Sequence, residues 1–226
     1  MTRAGNRTPM METATIMERA AGRLGELALR AVGDHYEVIS NGVFLMDTRN
    51  GESERLLVRL ALRHKRAGLR LLIGGLGVGF SLAEALRSNL PQRVTVVEIE
   101  PRIIAWCRTF LASCSGDALS DSRVELVNDD LAPWLRRNEE PFDAICLDVD
   151  NGPAWTVADA NGALYSDEGL ALLSERLKPG GTLTVWSAAE AQNFEEALRL
   201  AFDKVEMVSV PVPRGEPDVI YVALRC

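Results

Sequence analysis

Residues 71–86, LLIGGLGVGFSLAEAL, pass from the apolar run Leu71, Leu72, Ile73 through Gly74, Gly75, Gly77 and Gly79 into a helical pattern. A strand that turns through glycines into a helix is the ligand-binding corner of an open α/β sheet, because glycines permit the tight turn and let a ligand lie close to the backbone. The diphosphate-binding form of this turn, Gly-x-Gly-x-x-Gly, uses its third glycine to pack helix against sheet. Here Phe80 stands at that place. The pattern is instead Gly-Gly-x-Gly-x-Gly, which suits a nucleoside with an amino-acid-like tail and no diphosphate to cradle.

Downstream of this corner, strand-like and helix-like segments alternate: strands near 69–74, 93–98, 123–127, 142–148 and 181–187, helices near 80–89, 101–113, 131–137, 167–177 and 190–202. That rhythm predicts a parallel sheet covered on both faces. The end differs, since KVEMVSVPV and DVIYVALR are joined by PRGEP with no room for a helix, and two such runs pair antiparallel. The layout resembles the Rossmann-like class I methyltransferase fold: a mainly parallel seven-stranded α/β sheet with a C-terminal antiparallel hairpin. Upstream, ESERLLVRLALRHKR over 52–66 has the spacing of an amphipathic helix. Gly33-Asp34 and Asn41-Gly42 divide residues 26–47 into a three-stranded β-meander, Asn-Gly being the preferred type I′ hairpin turn. The pattern around Thr13 to Leu24 reads as a short helix. The expected organisation is a tail and short helix over 1–24, a small meander over 25–50 and a transferase domain over 51–226.

The 226 residues carry a net charge of −7 and 47% hydrophobic residues, which fits a folded, acidic protein and argues against nucleic acid as a partner. The run Arg63, His64, Lys65, Arg66 reads as a solvated helix end. No apolar run approaches the ~20 residues of a membrane span, and MTRAGNRTPM lacks the apolar centre of a secretory signal. The expectation is a cytoplasmic protein without a membrane partner. Cys107, Cys114, Cys146 and Cys226 have no metal-ligand spacing, and His35 and His64 are the only histidines. Neither a metal site nor a His-dependent triad is expected.

Three successive strand ends carry acids. Glu98 closes VTVVE about twenty residues after the glycine turn, where an acid accepts hydrogen bonds from both ribose hydroxyls. Asp129 and Asp130 close the next strand, where a carboxylate can accept from the adenine amino group; capping the following helix is a second role open to Asp130. Asp148 and Asp150 follow the fourth strand in LDVDNGP and point at the crevice. Acids at all three ends suit an adenosyl compound bearing positive charge, such as S-adenosylmethionine, with Ile99 and Leu131 flanking it. The long segment after the fourth strand is a candidate lid. Trp155 and Tyr165 can stack on a substrate or pin that loop, and Trp186 is a further wall candidate. Trp106 and Trp134 fall in helical patterns and read as core.

VEIEPRIIAWCRTFL, the Asp129-Asp130 pair and LDVDNGP together resemble the spermidine synthase family, aminopropyltransferases built on the methyltransferase fold. The resemblance covers about residues 25–210. It implies a ribose-binding role for Glu98, adenine recognition by Asp130, a base and orienter in Asp148, and a meander that makes dimer contacts, so a homodimer is expected. The family's glycine loop, Gly-Gly-Gly-Asp-Gly, uses its Asp to grip the amine of the aminopropyl donor; this chain has Gly77 there. The Tyr-His or Tyr-Gln pair that serves the acceptor is absent, since residues 48–63 hold no Tyr, His or Gln. Asp150 comes two residues after Asp148 where the family has three, and Asn151 takes the family's place. Gly77 removes an acid that repels the carboxylate of intact S-adenosylmethionine. The leading expectation is therefore methyl transfer from S-adenosylmethionine to a small, amine-bearing acceptor, with Asp148 and Asp150 catalytic and Asn151 contacting the acceptor. The alternatives are aminopropyl transfer from decarboxylated S-adenosylmethionine to a diamine, and a non-catalytic nucleoside-binding dimer.

Overall fold

The computed structural model describes residues 14–149, 151–153, 159–213 and 215–226. The tail expected over 1–12, Asp150 and Trp155 lie outside the described residues. The N-terminal part is an antiparallel four-stranded sheet of β1 (Ala14–Ala21), β2 (Glu26–Val32), β3 (His35–Ser40) and β4 (Val43–Asp47), in that order. Asn41 and Gly42 have φ of 50° and 80°, as a type I′ turn between β3 and β4 requires.

The helix expected around Thr13 to Leu24 is the strand β1, so the meander has four strands and not three. Residues such as Met17, Glu18 and Arg19 favour helix in isolation, but this stretch has no apolar stripe to bury. As a strand it pairs with β2 from Ala14↔Val32 to Ala21↔Glu26. Glu18 then reaches the main domain, accepting the Trp106 indole N–H at 2.9 Å and pairing with Arg102 at 3.0 Å.

The main domain follows as α1 (Glu52–Ala61), β5 (Leu69–Gly74), α2 (Phe80–Arg87), β6 (Pro91–Val97), α3 (Pro101–Cys107), α4 (Ala112–Ser115), β7 (Val124–Val127), α5 (Leu131–Arg137), β8 (Phe142–Leu147), α6 (Asp167–Glu175), β9 (Leu177–Ser187), α7 (Gln192–Ala201), β10 (Lys204–Val210) and β11 (Asp218–Leu224). The sheet order is β10-β11-β9-β8-β5-β6-β7. β5 to β9 run parallel, and β11 pairs antiparallel with both β9 and β10. The mixed α/β architecture, parallel sheet and closing hairpin are as expected. The single helix expected over 101–113 is broken between α3 and α4, where Thr109 returns its hydroxyl to the Ala105 carbonyl at 2.9 Å.

Alternation along the strands divides the core into two layers. On β5, Leu71 and Ile73 face α1, α2 and α3, where Leu57, Leu82, Ile103 and the fully enclosed Trp106 pack. Leu72 faces the other way, with Leu135, Leu173 and Leu198 of α5, α6 and α7. Ile145 and Leu147 of β8 join that second layer while Ala144 and Cys146 join the first, as a period of two requires. Among the described residues no helix is long and apolar enough to cross a membrane. The central strand β5 has β6 and β7 on one side and β8, β9, β11 and β10 on the other. Its carboxyl end is therefore the point where the chain's path reverses, and ligands bind such sheets there.

Candidate active site

The turn after β5 is held open by glycine. Gly75 has φ +87°, and a Cβ on it would lie 2.1 Å from the Asp148 carbonyl oxygen, so no side chain fits. Gly79 (φ +94°) starts α2 against Ser115, 2.6 Å from where its Cβ would be. Gly74 packs under Leu131, and Gly77 faces Met46 of β4. Two strands therefore meet at the turn with backbone alone, and the space above stays free for a ligand.

That space is a cavity of about 1020 Å³ between the carboxyl edge of the large sheet and β4 of the meander. Of the residues singled out in the sequence, Gly75, Gly77, Glu98, Ile99, Asp129, Asp130, Leu131, Asp148 and Asn151 line it. Gly74 and Gly79 shape the turn beneath it. Trp186, from the end of β9, is also in the wall, and its buried indole N–H has no partner among the described residues.

Glu98 is buried and accepts backbone N–H groups on both oxygens, from Leu76 at 2.8 Å and from Glu100 at 2.7 Å. It thus fixes the glycine turn to the end of β6. Burial pushes its carboxyl above the usual range. Asp130 caps α5 by accepting the Ala132 N–H at 3.2 Å, so the capping role holds while the residue also faces the cavity. Asp129 accepts the Asp130 N–H at 2.9 Å and pairs with Arg137 at 2.5 Å.

Across the turn, Asp148 follows β8, and its backbone N–H donates to the Gly74 carbonyl at 2.8 Å. The Ser81 hydroxyl, in the first turn of α2, donates to Asp148 Oδ2 at 3.0 Å. Burial first, then the neighbouring Glu54 carboxylate, push the Asp148 carboxyl up to about 7 against the opposing Ser81 bond, and Glu98 and Asp218 add smaller pushes in the same direction. A carboxyl poised there accepts and returns a proton near neutrality.

Tyr165 is not in the cavity wall. Its hydroxyl donates to the Val149 carbonyl at 2.9 Å, and its ring meets Phe194 edge-on at 5.5 Å. Of the two roles open to it, these contacts are those of the anchor of the loop after β8.

Several wall residues were not singled out in the sequence. Glu54 of α1, Asp218 of β11, Glu100, Asp47 and Glu216 all line the cavity. Glu100 is buried and accepts the N–H groups of Arg23 and Leu24 at 2.9 and 2.8 Å, tying the turn between β1 and β2 to the side of the cavity that Glu98 and Asp130 line. Only its place two residues after Glu98 in VEIE hinted at a role. Among the described residues the walls carry nine carboxylates and one guanidinium, that of Arg49, which is paired with Asp47 and Glu37. Such a cleft concentrates cations.

A family model for the spermine/spermidine synthase domain matches residues 52–221. Polyamine aminopropyltransferase 2 of Pseudomonas aeruginosa is 31% identical over 170 residues, covering 70% of this chain and 46% of that protein. The polyamine aminopropyltransferase of Mycobacterium tuberculosis is 36% identical over 118 residues, covering 51% of this chain and 22% of that protein. The chain thus spans less than half the length of these curated relatives. Among solved structures, spermidine synthase from Thermotoga maritima superposes with a TM-score of 0.76 at 15% identity, covering 93% of this chain and 72% of that one. A spermidine synthase in complex with the transition state analogue AdoDATO gives 0.79 at 18% identity, covering 93% and 74%. At these identities the structural likeness establishes the fold.

Proposed function

The chain belongs to the spermine/spermidine synthase domain family, and from that premise we propose that it transfers an aminopropyl group from decarboxylated S-adenosylmethionine to a small amine acceptor. The observation that carries this reading is the charge of the cavity, whose described residues bring nine carboxylates against one paired guanidinium. A donor with a sulfonium, an ammonium and no carboxylate suits such walls. Intact S-adenosylmethionine brings a carboxylate into the same space, and each acid ~6 Å away opposes it by ~3 kcal/mol at an effective dielectric constant of about 20. The expectation of methyl transfer from the intact donor rested on Gly77, but one acid missing from the loop leaves the rest of the wall strongly negative. The polyamine aminopropyltransferases among the relatives favour the same choice.

When bound, the donor supplies an electrophilic carbon whose bond to the sulfonium breaks as the acceptor nitrogen bonds to it, the electron pair leaving on a neutral thioether. The chain's residues bind, orient and move a proton. A carboxylate has about four lone-pair sites, and two backbone N–H groups occupy one on each Glu98 oxygen. The acceptor capacity that remains suits ribose hydroxyls. Asp130 serves the adenine amino group beside Ile99 and Leu131, and Gly75 and Gly77 offer backbone against which the rest of the donor lies. Asp148 takes a proton from the acceptor's ammonium, freeing a lone pair for attack; its carboxyl at about 7 suits that task near neutral pH. Asn151 offers an amide to the acceptor. Asp150 and Trp155 keep the acceptor-side roles expected from the sequence of the segment after the fourth strand.

Calorimetric titration with the two donors tests the proposal. Decarboxylated S-adenosylmethionine should bind more than about tenfold tighter than the intact compound. The opposite preference refutes it.

A further inference from the structure

The proposed reaction uses Asp148 in two states, ionised before it takes the acceptor's proton and protonated after. Among the described residues one side chain hydrogen-bonds its carboxyl: the Ser81 hydroxyl, 3.0 Å from Oδ2. Ser81 is 1% exposed, so the contact is closed to water. Oδ1 accepts from no described residue, and Asp148 lines the cavity, which leaves Oδ1 as the oxygen for the acceptor.

Ser81 is the second residue of α2. A serine within a helix commonly returns its hydroxyl to a carbonyl of the preceding turn. Ser81 instead reaches out of its own helix, to Asp148 Oδ2 after β8 and to the Glu54 carbonyl oxygen of α1 at 3.3 Å. A hydroxyl has one proton to give, and a bond to an ionised acceptor is shorter and about twice as strong as a neutral one. Ionised Asp148 therefore takes that proton, and the Glu54 carbonyl is the second acceptor within its reach. The terminal torsion of an aspartate is broad by itself. A fixed donor at Oδ2 restricts it and so settles where Oδ1 points.

The charges around Asp148 give the hydroxyl its importance. The groups that face it are acids: Glu54 from α1, Glu98 after β6 and Asp218 from β11. Arg55, next to Glu54, lies over the Phe80 ring, 4.3 Å from its centroid, and Arg59 pairs with Glu52 and Glu84. Among the described residues no Lys, Arg or His lies within ion-pair distance of Asp148. Burial and then Glu54 raise the Asp148 carboxyl, and the Ser81 bond opposes them. With no cation beside it, the ionised base is held by a neutral donor.

We propose that Ser81 is the positioning residue of the proton transfer: its hydroxyl holds Oδ2 of the ionised carboxylate toward α2 and keeps Oδ1 turned to the acceptor. The proposal rests on the proposed reaction for the proton that Asp148 takes. In that step an N–H bond of the acceptor's ammonium breaks, its electron pair stays on nitrogen, and the proton bonds to Oδ1. The nitrogen pair then bonds to the donor's carbon while the carbon–sulfur pair leaves on sulfur.

The test compares the parent protein with Ser81→Ala, which deletes the hydroxyl, and Ser81→Cys, which fills the space but is only a weak donor. Thermal unfolding checks that each variant folds. The first readout is the NMR titration of the Asp148 carboxyl carbon in the full chain, assigned with Asp148→Asn. Its midpoint should rise by about one pH unit in both variants, as the loss of a hydrogen bond to a charged acceptor requires. The second is the pH dependence of kcat/KM for 1,4-diaminobutane with decarboxylated S-adenosylmethionine. Its rising limb should move up by the same amount, lowering turnover near pH 6 by about tenfold, with donor affinity unchanged. A hydroxyl that only fills space predicts parent behaviour in Ser81→Cys; that result overturns the proposal, as does an unmoved midpoint or an unmoved limb. Absence of aminopropylated product from the parent counts against the proposed reaction, and the carboxyl titration then decides by itself whether Ser81 holds Asp148.

Discussion

Replacing Asp148 with Asn should change how the stability of the protein depends on pH. Burial, then the charges of Glu54, Glu98 and Asp218, hold the Asp148 carboxyl at about 7, whereas in the unfolded chain it titrates near the ordinary aspartate value of 3.8. Between those values the folded protein carries a proton that the unfolded chain has released. Stability contributed by this group is therefore complete below pH 3.8 and is lost as pH rises through about 7, with a slope of about 1.4 kcal/mol per pH unit between the two. From pH 5 to pH 7 the expected loss is about 2 kcal/mol, allowing for partial ionisation near the upper end. Asn does not titrate, and its carbonyl oxygen can still accept from the Ser81 hydroxyl, which donates at 3.0 Å in the parent. Urea unfolding of both proteins at pH 5 and pH 7 reads the effect: the parent's advantage over Asp148→Asn should shrink by about 2 kcal/mol between the two conditions. A difference that stays constant with pH refutes the raised carboxyl and, with it, the poised base.

Gly75→Ala places a Cβ 2.1 Å from the Asp148 carbonyl at φ +87°; left-handed strain alone costs ~1–2 kcal/mol, so unfolding should show more than ~2 kcal/mol of destabilisation. Donor binding measured by calorimetry should fall with it, and an unaffected variant contradicts the glycine argument. Tyr165→Phe removes the hydroxyl bond to the Val149 carbonyl and should cost ~1 kcal/mol of stability, with the KM for the acceptor unchanged; a large rise in KM restores a substrate-stacking role.

Much of the fold was legible because its strands are short apolar runs that meet their helices at turns with clear chemistry. Leu71, Leu72 and Ile73 read as a buried strand, and they fill both core layers. Asn41-Gly42 and the Asp130 cap were legible for the same local reason. β1 was not, because Met17-Glu18-Arg19-Ala20 favours helix and only pairing with β2 makes it a strand. In the site, acids that end parallel strands were readable, since such ends face the crevice in any sheet of this kind. Asp218 was hidden because it begins an antiparallel strand, so its place at the same edge depends on the β9–β11 register. Glu54 was hidden among Glu52, Arg55 and Arg59, where a helix facing a cavity and a helix facing water carry the same residues.

The central claim is that this negatively charged crevice works on a donor without a carboxylate. The direct measurement is mass analysis of the products after incubating the protein with 1,4-diaminobutane and an equal mixture of decarboxylated and intact S-adenosylmethionine. The account predicts an acceptor heavier by one aminopropyl group, formed together with 5′-methylthioadenosine. A methylated acceptor accompanied by S-adenosylhomocysteine contradicts it.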